Sequence, residues 1–244
     1  MFESPQGHVS AIISRKKKGT LTTQATEQHD PVVQIIERIN KHRGRIISIL
    51  AAIFVILVLV WYFVVTQRNR EAVAARDLDN ARAVAAAGNL PLAASDLSEL
   101  VSAYGSTIAA QEASIELARI RLTEGQPAAA MVELRKLIDS DPDDQFVAPA
   151  HGLLGRALEQ AGNPADAAQE YLLAAEAAWY DFLKGQYFID AGRAHTTAGD
   201  TAAAIAAYER VLNDLSETDQ VLEAQVRLAE LRPKGSGSAL DLDS

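Results

Sequence analysis

The chain has 244 residues and no cysteine, which excludes disulfides, cysteine–zinc sites and thiol nucleophiles. Abundant Ala, Leu, Glu and Arg, with few β-branched residues outside one segment, favours α-helix. The net charge of −9 is uneven, since residues 1–45 carry +4 and residues 66–244 carry −13. The larger part is therefore a poor candidate for binding nucleic acid, whose phosphates require a basic surface.

The N-terminal segment divides into two parts. Residues 1–29 are polar and include the basic run Arg15-Lys16-Lys17-Lys18, which predicts a cytoplasmic tail that contacts anionic lipid. Residues 30–45 predict a short amphipathic helix, because Asp30 is a good N-cap before Pro31 and apolar residues follow on one face. This helix lies either on the inner membrane surface or on the cytoplasmic surface of a partner, and the sequence leaves both open.

Residues 46–65, from Ile46 to Val65, contain neither charge nor proline. A helix of this length spans about 30 Å, the thickness of the hydrocarbon core of a bilayer. Trp61 and Tyr62 lie at its downstream end, where aromatic side chains favour the membrane interface. The segment predicts a transmembrane anchor. It starts too far into the chain, and is too long, for a cleaved signal peptide.

The charges that flank the span predict its orientation. Arg38, Lys41, Arg43 and Arg45 precede it, while acidic residues accompany the arginines that follow it. The positive-inside rule places the N-terminus in the cytoplasm. In a bacterium the anchor would lie in the inner membrane, and residues 66–232 would form a periplasmic domain.

Residues 66–232 contain a 37-residue period in four copies. Its columns are a glycine (Gly88, Gly125, Gly162, Gly199), an alanine five residues later (Ala93, Ala130, Ala167, Ala204), a large side chain nine residues later (Leu97, Leu134, Tyr171, Tyr208) and a small residue seven residues earlier (Ala81, Ala118, Gly155, Gly192). The pattern predicts helical hairpins. Glycine ends each first helix, small and large residues pack between the two helices, and neighbouring hairpins stack. Residues 217–231 predict a final capping helix, and residues 233–244 a flexible C-terminal tail.

These columns resemble the tetratricopeptide repeat. The family unit has 34 residues, and the tryptophan of its first helix is absent here, with Asp77, Ser114, His151 and Phe188 in that column. The resemblance implies an all-α fold, with one transmembrane helix followed by an α-solenoid of about four hairpins plus a capping helix. The layout is also similar to the YfgM-type family of ancillary translocon subunits, which implies an adaptor associated with a membrane complex.

An arginine stands six residues before each glycine: Arg82, Arg119, Arg156 and Arg193. In repeats of the resembled family this column lies on the first helix and faces the groove, so the arginines could grip carboxylates of a partner. Alternatively, they pair internally with four acidic residues three positions away: Asp79, Glu116, Glu159 and Asp190. The sequence leaves both interpretations open.

A group of aromatic residues lies near the junction of the third and fourth repeats: Trp179, Tyr180, Phe182, Tyr187 and Phe188. These residues either pack the junction or form an exposed anchor for a partner, since aromatic side chains dominate interface hot spots.

No catalytic, phosphate-binding or metal-binding motif occurs, so we predict no cofactor, no metal and no enzymatic activity. The sequence favours a scaffold subunit that stabilises an integral-membrane protein complex, such as a respiratory or photosynthetic assembly. The alternative is a translocon or chaperone adaptor that meets secreted or periplasmic polypeptides. An enzyme of unrecognised type is the remaining alternative.

Overall fold

The computed structural model describes residues 31–232, which form nine α-helices and no strand. The helices are α1 (Pro31–Ala86), α2 (Leu90–Tyr104), α3 (Ile108–Thr123), α4 (Pro127–Asp139), α5 (Asp144–Gln160), α6 (Pro164–Ala177), α7 (Asp181–Ala198), α8 (Thr201–Asp214) and α9 (Gln220–Leu231). The all-α prediction is confirmed. The predicted tails, residues 1–29 and 233–244, lie outside the described residues, as does Asp30.

Helix α1 contains the apolar segment and starts a repeat domain at its C-terminal end. The large apolar side chains from Ile47 to Val65 are all 37–66% exposed. Within residues 31–232 this is the one helix long and apolar enough to cross a membrane, and none of its most apolar stretch is buried. A core helix of a soluble domain would instead be covered by neighbours. The side chains of Ile46 and of the predicted amphipathic stripe at residues 30–45 are outside the described set.

Each first helix ends at the predicted glycine. Gly88, Gly125, Gly162 and Gly199 have φ between 73° and 88°, the left-handed region that other residues resist. In all four copies the glycine N–H donates to the carbonyl three residues earlier, and the next N–H donates to the carbonyl five residues earlier. These bonds satisfy the last carbonyls of the helix and reverse the chain.

The small and large columns face each other inside each hairpin. A Cβ added to Gly155 would lie 2.8 Å from the Tyr171 ring, and one added to Gly192 would lie 2.5 Å from the Tyr208 ring. The first two repeats instead carry Ala81 and Ala118, both fully buried, with the shorter leucine in the large column. The space between the two helices of a hairpin is therefore filled either by glycine with tyrosine or by alanine with leucine.

The hairpins follow one another through α8, and α9 packs on α8 and α7 as the last helix described. It begins at Gln220, so the prediction that it starts at Glu217 is wrong. Glu217 lies in the turn, because Leu215 and Thr218 close that turn with backbone hydrogen bonds.

Candidate partner-binding groove

Three of the four predicted arginines line one groove of about 500 Å³ between first helices α5 and α7, at the edge of α3. Helices α3 and α5 approach each other closely, as do α7 and α9, whereas α5 and α7 lie further apart. The side chain of Tyr187 occupies the space between them, against Gly152 of α5. We call this the arginine groove, and its wall includes Arg119, Arg156 and Arg193.

Arg82 and Arg193 are held by acidic residues of neighbouring repeats. Arg82 bonds Glu112 and Glu116 on α3, and Arg193 lies 3.1 Å from Glu159 on α5. Arg193 also bonds Asp190, as the internal-pairing interpretation predicts. The pair expected between Arg82 and Asp79 is not among the salt bridges of residues 31–232. Arg82 is therefore held only across repeats, whereas Arg193 is held both within its own helix and across repeats.

Arg119 and Arg156 remain accessible. The nearest acidic oxygen to Arg119 is that of Glu116, at 3.8 Å, and the Arg119 side chain is 56% exposed. Arg156 is exposed and makes no salt bridge within the described chain. Its expected partner, Glu159, bonds Arg193 and the hydroxyl of Tyr171 instead.

Leu153 marks the repeat that contains Arg156 as different from the other three. The other three arginines have an acidic residue three positions earlier, but the third repeat has Leu153 there. Leu153 lines the arginine groove beside Arg119 and Arg156, and it is an apolar contact that the sequence reasoning missed. The sequence signal for this contact is that the third repeat lacks the acidic residue that the other repeats carry three positions before the arginine.

Tyrosines contribute hydrogen-bonding groups to the wall of the groove. The Tyr171 hydroxyl donates to Glu159 Oε2 at 2.7 Å. Burial and this bond raise the pKa of Tyr171, and burial also raises the pKa of Tyr187. Both phenols are therefore neutral at physiological pH. The groove combines the exposed guanidinium groups of Arg119 and Arg156 with apolar and aromatic surface.

The aromatic group divides into exposed and packed members. Trp179, Tyr180 and Phe182 are 66%, 61% and 56% exposed, whereas Phe188 is fully buried and Tyr187 is half-buried. Phe188 is therefore packed, as one interpretation of the sequence predicts, while the exposure of Trp179, Tyr180 and Phe182 leaves the anchor interpretation as a prediction for those three. A second cleft of about 190 Å³ lies beside Trp179 and Tyr180, and we call it the aromatic cleft. It shares Pro149 and Leu183 with the arginine groove, so the two form one continuous surface.

The histidines of the repeats hold structural positions. His151 Nδ1 lies 2.7 Å from Glu170 Oε2 and links α5 to α6, while His195 is buried in α7. Among residues 31–232 no group of three His, Asp or Glu side chains is arranged to hold a metal ion.

Comparison with solved structures shows the same fold in distant proteins. A chain described as kinesin light chain nearly identical TPR-like repeats of Podosopora anserina matches with a TM-score of 0.52 and 18% identity. The match covers 64% of this chain and 83% of that one. A variant of that protein with one glutamine replaced by methionine matches with the same values. A search of curated proteins finds no match.

The sequence comparison covers more of the chain than the structural one. The model of a tetratricopeptide repeat-like domain matches residues 40–232, which include the whole of the four hairpins and α9. This range is most of the chain, so the protein belongs to the tetratricopeptide repeat-like domain family.

Proposed function

We propose that this chain is a membrane-anchored, non-catalytic scaffold that binds and stabilises an integral-membrane protein complex. Helical repeats of this family are typical of protein–protein interaction rather than catalysis. The observation that carries the proposal is the presence, in one chain, of such a repeat domain and of an exposed apolar helix from Ile47 to Val65.

The anchor supports a membrane location. A surface of large apolar side chains on every side of a helix is unstable in water and stable in lipid. Trp61 and Tyr62 lie near the end of the segment, where an interfacial position would satisfy their polar groups. We propose that the segment crosses the bacterial inner membrane and that the repeat domain is periplasmic.

The groove supports a particular class of partner segment. Arg119 and Arg156 offer guanidinium groups that could bind carboxylates in a bidentate manner. Leu153, Tyr187 and the adjoining aromatic cleft offer apolar contact. We propose that the partner contributes a segment with acidic and aromatic or aliphatic residues. Trp179, Tyr180 and Phe182 would form the anchor contacts at the edge of this surface.

A second candidate is an adaptor of the translocon, which meets secreted or periplasmic polypeptides transiently. Arg119 and Arg156 are exposed, which favours the adaptor. A groove already filled by side chains of the domain itself would not admit a secreted polypeptide.

The first experiment is purification of the tagged full-length chain from native membranes in mild detergent, followed by quantitative mass spectrometry. We expect a stoichiometric set of integral-membrane subunits. A substoichiometric mixture of translocon components and secreted proteins would favour the adaptor. Recovery of the chain alone would contradict both.

A charge-reversal pair separates the two candidates. Arg119→Glu with Arg156→Glu should abolish the binding of passing chains, because the groove would repel carboxylates, but should leave a permanent subunit that also holds its complex through the span. Arg135→Glu with Lys136→Glu is the matched control, since both residues are exposed on α4 and line neither cleft. Co-purification yields measure the effect. Secreted chains retained by the groove variant would rule out the groove as their binding site.

A further inference from the structure

The chain beyond the repeat domain contains a short segment in which aliphatic and acidic residues alternate. Residues 239–243 read Ala-Leu-Asp-Leu-Asp, and a Gly-Ser-Gly-Ser run at residues 235–238 separates them from the last helix. The run has the composition of a linker. We call residues 239–243, which lie outside the described residues, the acidic segment. Its carboxylates and leucines are the chemistry that the arginine groove is proposed to bind.

The arginine groove has a local charge opposite to that of its domain. Residues 66–244 carry a net charge of −13, but Arg119 is exposed and its nearest acidic oxygen is 3.8 Å away. Arg156 is exposed and makes no salt bridge within residues 31–232. The acidic residues beside them, Glu159 and Asp190, both bond Arg193 instead. Two guanidinium groups are therefore available to two carboxylates.

The alternation of the acidic segment suits a groove that offers both polar and apolar contacts. In an extended conformation, Asp241 and Asp243 would lie about 7 Å apart on one side and the leucines on the other. Leu153 lines the groove together with Arg119 and Arg156, and the ring of Tyr187 lies beside it. The carboxylates can thus face the arginines while the leucines face Leu153 and Tyr187.

Helix α9 brings the start of the segment close enough to reach the groove. It is the next first helix after α7 and packs on it. In the 37-residue register, Arg232 falls two positions beyond the equivalent of Arg193 in the groove wall. Packed helices lie about 8–10 Å apart, so α5 is about 20–25 Å from α9. Residues 233–241 span up to about 30 Å when extended, which is enough to reach Arg156.

We infer that the acidic segment occupies the arginine groove of its own chain, with Asp241 and Asp243 bonded to Arg119 and Arg156. This assignment rests on the proposed function of the groove and adds an internal competitor to it. A tethered segment acts at an effective concentration on the order of 1 mM, so weak intrinsic affinity is enough to fill the groove. A partner then binds only if its affinity exceeds that of the segment.

Disulfide formation within the full-length chain measures where the segment lies, because the chain has no cysteine of its own. Ser244→Cys marks the segment next to Asp243, and Gln160→Cys marks the groove, since Gln160 is exposed beside Arg156. Neither change removes a side chain that would make the contact. In the dilute purified chain in mild detergent, oxidation should close this pair at least about fivefold faster than a control pair.

The control pair is Ser244→Cys with Ala206→Cys. Ala206 is exposed on α8, three residues before Glu209, which bonds Arg232 where the segment begins. A segment without a binding site would therefore meet Ala206 at least as often as it meets the groove. Arg119→Glu with Arg156→Glu, added to the groove pair, should slow closure to the control rate. Raised salt should slow it as well, because exposed ion pairs are screened.

Each other outcome contradicts the inference in a different way. Closure of the groove pair no faster than the control pair would show that the segment does not dock there. Fast closure that survives Arg119→Glu with Arg156→Glu would show that the arginines do not hold it. Disulfides that form only between two chains would assign the groove to the segment of a second copy.

A synthetic peptide of residues 237–244 measures the competition directly. It is acetylated and amidated, so Asp241 and Asp243 carry its only charges. The full-length chain with Asp241→Asn and Asp243→Asn should bind this peptide about tenfold more tightly than the unmodified chain, because its own segment no longer competes. Asp139→Asn with Asp141→Asn is the matched control, since both residues are exposed and line neither cleft. This control should bind like the unmodified chain.

Equal affinity of the three chains for the peptide, or no binding to any of them, would overturn the inference. Either result would leave the scaffold proposal in place, because co-purification of membrane subunits tests that proposal without the segment. Conversely, recovery of the chain alone from membranes, together with fast closure of the groove pair, would contradict the scaffold and support the internal competitor.

Discussion

At the scale of single residues, the contact between Gly155 and Tyr171 sets the spacing of a hairpin. Tyr171 is 3% exposed, so its ring has little room to move away from an added Cβ. We expect Gly155→Ala to lower the free energy of unfolding by about 1–2 kcal/mol, although alanine is the better helix former. Urea unfolding of the full chain, followed by circular dichroism, measures this loss.

The first two repeats suggest how to repair that variant. Because they combine alanine with leucine in the same columns, Gly155→Ala with Tyr171→Leu should be more stable than the sum of the single losses predicts. Recovery should be partial, since the bond from Tyr171 to Glu159 is also removed. Strict additivity of the two losses would show that the columns are not coupled.

At Gly162 the cost of the backbone conformation can be measured separately from the cost of side-chain crowding. Its φ is 81°, and an added Cβ would meet nothing within 4 Å, so only the conformation of the backbone resists a larger residue. We expect Gly162→Val to cost about 1–3 kcal/mol and Gly162→Asn distinctly less, because asparagine tolerates the left-handed region. Melting temperatures of the two variants test this, and equal values would argue against strain in the turn.

At the scale of the element, Glu71 of α1 caps the start of α3. Its two carboxylate oxygens accept the N–H groups of Ile108 and Ala109, each at 2.9 Å, while Thr107 Oγ1 accepts that of Ala110. These donors have no partner within their own helix, and the helix dipole favours a negative charge there. Adjacent repeats are thus joined by a helix cap as well as by apolar packing.

Removing this cap should loosen α3 at its first turn. We expect Glu71→Ala to destabilise the domain by about 1–2 kcal/mol, and Glu71→Gln by less, because glutamine keeps one acceptor. Hydrogen exchange at Ile108 and Ala109 should accelerate more than exchange in α5. Unchanged exchange at these two amides would show that the bonds contribute little.

The turns between the helices can be predicted from the sequence, whereas the contacts between repeats cannot. The glycine column predicts each turn, because only a residue without Cβ enters the left-handed region cheaply. The partners of the arginines were harder to predict, since Arg82 bonds Glu116 and Arg193 bonds Glu159 across repeats, beyond the reach of helix spacing. The division between exposed Trp179 and buried Phe188 follows from tertiary packing, since Phe188 packs with Ala175 and Tyr208 while Trp179 lies in the loop between α6 and α7.

At the scale of the whole molecule, the charges around the apolar segment predict orientation. A periplasm-dependent alkaline phosphatase joined after residue 232 should be active, and a fluorescent protein that folds only in the cytoplasm should be dark at the same position. Converting Arg38, Lys41, Arg43 and Arg45 to glutamate should reduce the phosphatase activity of the fusion. High fluorescence of the unmodified chain would place the repeat domain in the cytoplasm instead.

The stacking of the repeats also has a mechanical consequence. From α2 onward, the helices in extensive contact are neighbours or next neighbours along the chain, such as α3 with α5 and α7 with α9. Tension between the anchor and a bound partner would then peel helices away one at a time, because no extensive contact joins helices of α2 to α9 that are distant along the chain. Such a domain would yield gradually under load and recover when the load is released, so in the proposed function it would act as an elastic tether between the anchor and the partner.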